Sequence, residues 1–306
     1  MFSEILVSKN EFLFKKNEVS VFLKREDLLH EHISGNKFRK LKYNILAAKK
    51  QNQHTLLTFG GAYSNHITAT AYAGKLFKFN AIGVIRGEEL GLNLQKTLTK
   101  NASLKFASDC GMKFKFITRT DYRNKTDTNF IDNLKKEFGD FYLIPEGGTN
   151  NLAIKGCEEI LTLEDEKFDY ICVAVGTGGT IAGLIKSTTN STKILGFSAL
   201  KGDFLVNDIE QLVQGKANWK LISDYHFGGF AKINRDLVTF INKLKKETNI
   251  SLDPIYTGKM LFGLDDLITK KQFKKGTKIL AIHTGGLQGI KATNRKLAKK
   301  GLQQID

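Results

Sequence analysis

The chain has 306 residues, of which 41% are hydrophobic, and 47 Lys and Arg against 31 Asp and Glu give a formal net charge of +16. No apolar run approaches the ~18 residues that a membrane-spanning helix needs, so a membrane protein is not expected. The three cysteines, Cys110, Cys157 and Cys172, are far apart and form no CxxC pair. We therefore expect no disulfide framework, no zinc or other metal site, and a cytoplasmic location.

The predicted elements alternate between short β-rich runs and helical patterns. In chain order they are helix 37–50, strand 55–59, helix 65–77, strands 81–85 and 114–118, helix 129–138, strand 141–144, helix 154–163, strand 170–175, helix 181–187, strand 194–198, helices 236–248 and 261–270, and strand 278–283. Such alternation predicts an α/β protein with open, mostly parallel sheets covered by helices on both faces. The length suits two lobes, but we find no linker, so any division must come from the chain crossing between packed units.

The positive charge has two interpretations. A strongly basic protein can bind nucleic acid or a membrane surface. Here the lysines are spread over several helical segments, such as 243–246, 270–275 and 296–300, without an aromatic-and-basic recognition motif. We interpret them as solvated helix faces and expect neither nucleic-acid nor membrane partners.

A glycine-rich loop separates a predicted strand from a predicted helix. It consists of Gly176, Thr177, Gly178, Gly179 and Thr180. Backbone amides at a helix N-terminus favour an anion, so the loop is a candidate phosphate site. It lacks the ending of a Walker loop, and Ile181 occupies the sixth position of a dinucleotide fingerprint. A tight turn without a ligand is the alternative.

Lys37 lies where a helix is predicted to begin, after Ser34 or Asn36 as a cap. The positive end of the helix dipole disfavours a charged lysine there, and burial would add to this effect. We therefore expect a lowered pKa and a nucleophilic amine that can bond to an aldehyde. Taken alone, a solvated surface lysine is the simpler interpretation.

A second tight turn follows the strand 55–59 and begins the next helix. Ser64, the Asn65 amide and unpaired backbone amides could bind a carboxylate. A plain helix cap would equally explain Ser64, and His66 could be either a base or a hydrogen-bonded structural group.

Seven segments together resemble one known family. They are 24–28 (KREDL), 33–41, 58–66, 145–150 (PEGGTN), 176–180, 253–259 (DPIYTGK) and 283–286 (HTGG), in that order over most of the chain. They resemble the pyridoxal-phosphate enzymes of the tryptophan-synthase-β fold, known as fold type II. More closely, they resemble the family that holds D-cysteine desulfhydrase and 1-aminocyclopropane-1-carboxylate deaminase. The resemblance implies pyridoxal 5′-phosphate as cofactor, a small amino-acid substrate and a homodimer.

The resemblance also implies site residues by position. Lys37 would hold the cofactor, Asn65 would lie beside its ring oxygen, and the loop 176–180 would hold its phosphate. Thr257 would face the pyridine nitrogen. The predicted catalytic residues are Lys37, Ser64 and Tyr256, and the predicted substrate-binding residues are Ser64, Asn65, His66, Tyr256 and Thr284.

Two positions bear on the substrate. At position 257 the threonine resembles the desulfhydrases, whereas the deaminases resemble one another in carrying glutamate. A neutral hydroxyl does not keep the pyridine ring of the cofactor protonated. The resemblance implies a second tyrosine near Phe230 in enzymes of both activities. Phenylalanine there weakens the case for both substrates, and more strongly the case for the cyclopropane. Tyr225 is close in the sequence and could substitute for the missing tyrosine.

The sequence therefore predicts α,β-elimination from a small amino acid, with D-cysteine as the first candidate. The alternatives are deamination of 1-aminocyclopropane-1-carboxylate or of another amino acid, and a cofactor-binding protein with little catalysis. The resemblance also implies that residues 1–40 with 149–306 form the larger, cofactor-binding lobe and 41–148 the smaller one, with the active site between them.

Overall fold

The computed structural model describes residues 6–189 and 191–306, and these form ten strands and eleven α-helices. The strands are β1 (Asn10–Lys16), β2 (Val19–Lys24), β3 (Thr55–Gly61), β4 (Asn80–Arg86), β5 (Lys113–Ile117), β6 (Tyr142–Ile144), β7 (Tyr170–Val175), β8 (Lys193–Ser198), β9 (Trp219–Ile222) and β10 (Lys278–Ile282). The helices are α1 (Asn36–Lys50), α2 (Asn65–Phe77), α3 (Leu94–Lys100), α4 (Ala102–Asp109), α5 (Thr128–Phe138), α6 (Asn151–Glu158), α7 (Gly179–Ser187), α8 (Phe204–Val213), α9 (Arg235–Thr248), α10 (Thr257–Thr269) and α11 (Gly289–Ala298).

The described residues fall into two compact units. Those up to Arg39, together with those from Ile154 onward, form the larger unit. The smaller unit is Lys40–Ala153.

The larger unit is built on a sheet with the order β1-β2-β10-β7-β8-β9. β1 is antiparallel to β2, and all the other pairs are parallel. Alternate residues of β10 enter two separate cores: Ile279 and Ala281 pack with α9 and α10, whereas Leu280 and Ile282 pack with α7 and α8. The sheet is therefore buried on both faces, as parallel sheets require.

The smaller unit has a four-stranded, fully parallel sheet with the order β5-β4-β3-β6. Ile82 and Val84 of β4 pack on one face with α5, and Ala81 and Ile85 pack on the other with α2 and α4. Because the strands are parallel, their carboxyl ends share one edge of the sheet. In open α/β sheets, this is the edge at which ligands bind.

The α/β fold class is confirmed, and each predicted strand is present in the described residues. Two helix predictions need correction. The helix predicted over 154–163 is α6, which ends at Glu158 and is followed by a short 3-10 segment, Leu163–Lys167. The helix predicted over 261–270 begins earlier, so Thr257 is its first residue. Within the described residues, no helix is long and apolar enough to cross a membrane.

Candidate active site

Two backbone segments of the larger unit approach each other closely just before α1. Gly35 has φ +62°, and a β-carbon there would lie 2.1 Å from the carbonyl oxygen of Thr284. Gly285 has φ +79°, and its β-carbon would lie 2.5 Å from Ser34 Oγ. Only glycine combines a left-handed conformation with the absence of a side chain. The two glycines therefore fix where α1 begins.

Lys37 is the second residue of α1 and is half-buried. Its Nζ donates to Asn36 Oδ1 at 3.0 Å, and Asn36 Nδ2 donates to Thr180 Oγ1 at 2.8 Å. The amine is thus connected through Asn36 to the glycine-rich loop. Sequence reasoning considered Asn36 only as a helix cap.

The glycine-rich loop runs from the end of β7 into α7. Gly178 adopts φ +78° and caps α7, while Gly179 and Thr180 are buried in its first turn. A β-carbon on Gly176 would lie 3.1 Å from the ring of Tyr256. The loop therefore presents the amides of a helix N-terminus and lies directly against Tyr256, while Thr177 is exposed.

Asp253 holds the segment that carries Tyr256 and Thr257. Its Oδ1 accepts from the amides of Ile255 at 2.9 Å and Tyr256 at 2.7 Å, and its Oδ2 accepts from the amide of Thr257 at 2.8 Å. The carboxylate is buried, with 1% exposed. Sequence reasoning gave Asp253 no role; the signal was an Asp-Pro pair just before a helix, where side-chain oxygens cap unpaired amides.

Thr257 carries an unusual hydroxyl. The residue is 0% exposed, and its Oγ1 has no hydrogen-bond partner within the described part of the chain. An unsatisfied buried polar group costs about 1–3 kcal/mol, so this hydroxyl requires a partner from outside the chain, either an ordered water or a ligand.

A loop that carries Phe230 is held by a buried lysine. Lys259 Nζ donates to the carbonyl oxygens of His226 at 2.8 Å and Gly229 at 2.9 Å. Burial lowers the pKa of Lys259 to about 8, although the charge of Asp253 opposes this. The exposed ring of Phe230 meets the ring of Tyr256 edge-on, with 6.1 Å between the centroids.

Tyr225 does not supply the hydroxyl that Phe230 lacks. Its hydroxyl donates to Asp266 Oδ2 at 2.6 Å. Burial and this carboxylate raise the pKa of Tyr225, which makes it a poorer proton donor.

The segment 283–286 is fixed by His283. The buried ring donates from Nε2 to the carbonyl oxygen of Ser251 at 2.9 Å and accepts at Nδ1 from the Gly285 amide at 3.2 Å. These partners select the tautomer that carries its proton on Nε2. Thr284, one of the predicted substrate-binding residues, is 8% exposed and contributes its carbonyl oxygen to the contact with Gly35.

In the smaller unit, Ser64 caps α2. Its Oγ accepts from the amides of His66 at 3.2 Å and Ile67 at 3.4 Å, which leaves the hydroxyl proton available for donation. The side-chain amide of Asn65 has no hydrogen-bond partner among residues 6–189 and 191–306. Both residues follow the carboxyl end of β3, where a ligand carboxylate could bind.

His66 has a structural contact. Thr58 Oγ1 lies 2.8 Å from His66 Nε2 and donates its own proton to the carbonyl oxygen of Ile144 at 2.8 Å. The ring therefore donates from Nε2, and Gly148 packs against its other edge, 3.0 Å from an added β-carbon. The ring is 1% exposed, so its role in substrate binding stays a prediction.

A lysine amine connected to a glycine-rich loop at a helix N-terminus, at the carboxyl ends of parallel strands, defines a class of enzymes that hold a phosphorylated aldehyde cofactor on lysine. The family model of pyridoxal-phosphate dependent enzymes matches residues 7–285. The chain belongs to this family.

Two curated relatives and one solved structure extend this result. The chain is 33% identical over 298 residues to the mitochondrial bifunctional D-cysteine desulfhydrase/1-aminocyclopropane-1-carboxylate deaminase of Arabidopsis thaliana, covering 90% of this chain and 74% of that protein. It is 28% identical over 291 residues to the D-cysteine desulfhydrase of Klebsiella pneumoniae, covering 88% of each. A crystal structure of an ACC deaminase homologue superimposes with a TM-score of 0.83 at 30% identity, over 96% of this chain and 94% of that one. The resemblance found in the sequence is confirmed.

The larger unit fits pyridoxal phosphate. The buried Thr257 hydroxyl lacks a partner, and the N-terminus of α7 offers amides for a phosphate. Lys37, whose Nζ donates to Asn36, would provide the amine. These three groups are the ones that a phosphorylated pyridine aldehyde needs.

Proposed function

We propose that this protein catalyses α,β-elimination from D-cysteine, which with water yields pyruvate, sulfide and ammonia. The observation that carries the choice is Thr257, a neutral residue with a buried hydroxyl at the start of α10. The family resemblance implies glutamate at this position in the related deaminases. A hydroxyl that does not protonate the pyridine nitrogen suits a reaction in which a good leaving group departs soon after the α-proton.

In this mechanism, pyridoxal phosphate supplies the electron sink for the charge that develops at the substrate α-carbon. Lys37 would hold the cofactor, and its Nζ would accept the α-proton of the substrate. The Ser64 hydroxyl and the Asn65 amide bind the substrate carboxylate. The Tyr256 hydroxyl delivers a proton to the departing sulfur.

A second candidate is a cofactor-binding protein with little catalysis, and Phe230 favours it. The phenyl ring lies against Tyr256, and the family resemblance implies a second tyrosine near this position. The phenyl ring has no proton to transfer. The same departure weighs against 1-aminocyclopropane-1-carboxylate as the substrate, since opening a cyclopropane needs more assistance.

The first experiment is an absorbance spectrum of the purified protein, with sulfide and pyruvate assayed after addition of D-cysteine or, separately, of 1-aminocyclopropane-1-carboxylate. We expect a band at roughly 410–420 nm, typical of the cofactor bound to lysine, and both products from D-cysteine. Cofactor loading without any product would favour the second candidate, and a gain of activity in Phe230→Tyr would identify the cause.

The matched variants are Lys37→Ala and Lys50→Ala, at opposite ends of α1. Lys37→Ala should lose the band and turnover while keeping its far-UV circular dichroism, whereas Lys50→Ala should retain all three. Full activity in Lys37→Ala would overturn the proposal.

The proposal includes a homodimer in the cytoplasm. The family resemblance supports the dimer, and three widely separated cysteines without a CxxC pair support a reducing compartment. Sedimentation and localisation of the tagged full chain test these points.

A further inference from the structure

A charged groove lies at the carboxyl edge of the smaller unit's sheet. Its volume is about 640 Å³, within the range of small-molecule sites. The charged residues that line it are four cations and two acids, namely Arg86, Arg119, Arg123, Lys125, Glu89 and Glu146. The formal net charge of the residues that line the groove is therefore +2.

Both acids are already neutralised. Arg119 pairs with Glu89 at 2.7 Å, and Lys125 lies 3.3 Å from Glu146. The hydroxyl of Tyr122 also donates to Glu146 at 2.8 Å. The excess charge of the groove therefore resides on the two remaining arginines.

Those arginines are Arg86 and Arg123. Both are exposed, and neither guanidinium has a hydrogen bond or an ion pair with any residue in the part of the chain that the structure describes. The guanidinium of Arg86 lies 5.6 Å from the centroid of the Tyr122 ring, which orients it by a cation–π contact. A planar guanidinium with its donors unused is suited to bidentate binding of a carboxylate or phosphate.

The groove adjoins the turn that leads to Ser64. Arg86 is the last residue of β4 and pairs in register with Gly61 of β3. Its Nη2 lies 3.8 Å from where a β-carbon on Gly61 would be. Gly61, Ala62 and Tyr63 line the groove as well, so the groove and the proposed carboxylate site share one turn.

We propose that this groove binds a small anion through Arg86 and Arg123, in addition to the α-carboxylate of the substrate. The chemistry recognised is a phosphate, sulfonate or second carboxylate. Such a group can belong to an amino acid with an anionic substituent or to a separate effector. The inference does not depend on D-cysteine being the substrate.

Isothermal titration of inorganic phosphate into the holoenzyme tests the site, because the cofactor's own phosphate then occupies the glycine-rich loop. We expect millimolar binding that weakens about fivefold in Arg86→Gln and in Arg123→Gln and is lost in the double variant. The control is Arg235→Gln, which removes an exposed arginine from the larger unit. Absence of binding to the wild type, or an equal loss in Arg235→Gln, would refute the proposal.

Repeating the titration with D-aspartate or D-alanine present separates the two sources of the anion. If D-aspartate alone weakens phosphate binding, the groove accepts an anionic substituent of the substrate. If neither amino acid does so, the groove binds a separate effector. These readouts are heats of binding, so a failure of the elimination assay would leave them unaffected.

Discussion

Replacing Gly35 with alanine tests whether the contact before α1 positions Lys37, the lysine proposed to be catalytic. The new β-carbon would lie 2.1 Å from the Thr284 carbonyl oxygen, far inside van der Waals contact, and the backbone would keep φ +62°. A left-handed alanine costs roughly 1–2 kcal/mol, and overpacking adds about 1–3 kcal/mol. We expect a loss of about 2–5 kcal/mol in the free energy of unfolding.

Gly301 provides a matched control. It has the same φ of +62°, with nothing within 4 Å of an added β-carbon. Gly301→Ala should therefore lower the free energy of unfolding by only the cost of a left-handed alanine, about 1–2 kcal/mol. The difference between the two variants, measured by urea denaturation of the apoenzyme, isolates the contact with Thr284.

The same comparison reports on the lysine. Relief of the clash in Gly35→Ala must move the start of α1, so less cofactor should be trapped on Lys37 by borohydride reduction and peptide mass mapping. Gly301→Ala should trap as much as the wild type. Equal losses of stability in the two variants, or undiminished trapping in Gly35→Ala, would refute the reasoning.

Three further predictions concern buried polar groups. Because the folded pKa of Lys259 is about 8, below its unfolded value of about 10.4, the unfolded chain binds more protons between these values. The free energy of unfolding should therefore gain ~2 kcal/mol from pH 7.5 to 9.5 through this group, and a Lys259→Met variant that kept the wild-type slope would contradict this. Asp165→Asn leaves Lys24, 1% exposed and paired at 2.7 Å, as an unpaired buried charge, and should lose about 3–5 kcal/mol in urea denaturation. Asp109→Asn, in an exposed pair, should lose under about 1 kcal/mol, and similar losses in the two variants would be inconsistent with the burial argument. Thr257→Val removes a hydroxyl without a partner, so the free energy of unfolding of the apoenzyme should rise by about 1–3 kcal/mol while the cofactor spectrum shifts; an unchanged spectrum would argue against contact with the ring.

The sequence predicted the strands that consist of apolar runs between turn residues. Strands whose sheet is buried on both faces are apolar at every position, so they stand out in the sequence. It missed the hairpin β1–β2, whose turn residues Asn17 and Glu18 have φ +48° and +62°. Both angles are required by a type I′ turn, but glutamate replaces the glycine that signals one. It also missed α3, which buries no residue and therefore has no apolar stripe to detect.

The candidate site follows the same division. Lys37, Ser64 and the glycine-rich loop lie in short contiguous motifs, which can be recognised in the sequence by their resemblance to a known family. The roles of Asp253 and Lys259 depend on backbone groups that the fold brings to them. Lys259 donates to the carbonyl oxygens of His226 and Gly229, which lie 33 and 30 positions before it in the chain. Backbone acceptors leave no mark on the sequence, so only the structure could reveal these contacts.

The attachment of the Phe230 loop has a consequence for how such enzymes diverge. Lys259 holds the carbonyl oxygens of His226 and Gly229 and no side chain of the loop, so the loop keeps its path whatever residue stands at position 230. The exposed phenyl ring can therefore be exchanged for a phenol without repacking a core. Phenylalanine and tyrosine codons differ by a single nucleotide. A lineage can thus gain or lose a proton donor beside Tyr256 in one mutational step, while the scaffold that holds the cofactor is inherited intact.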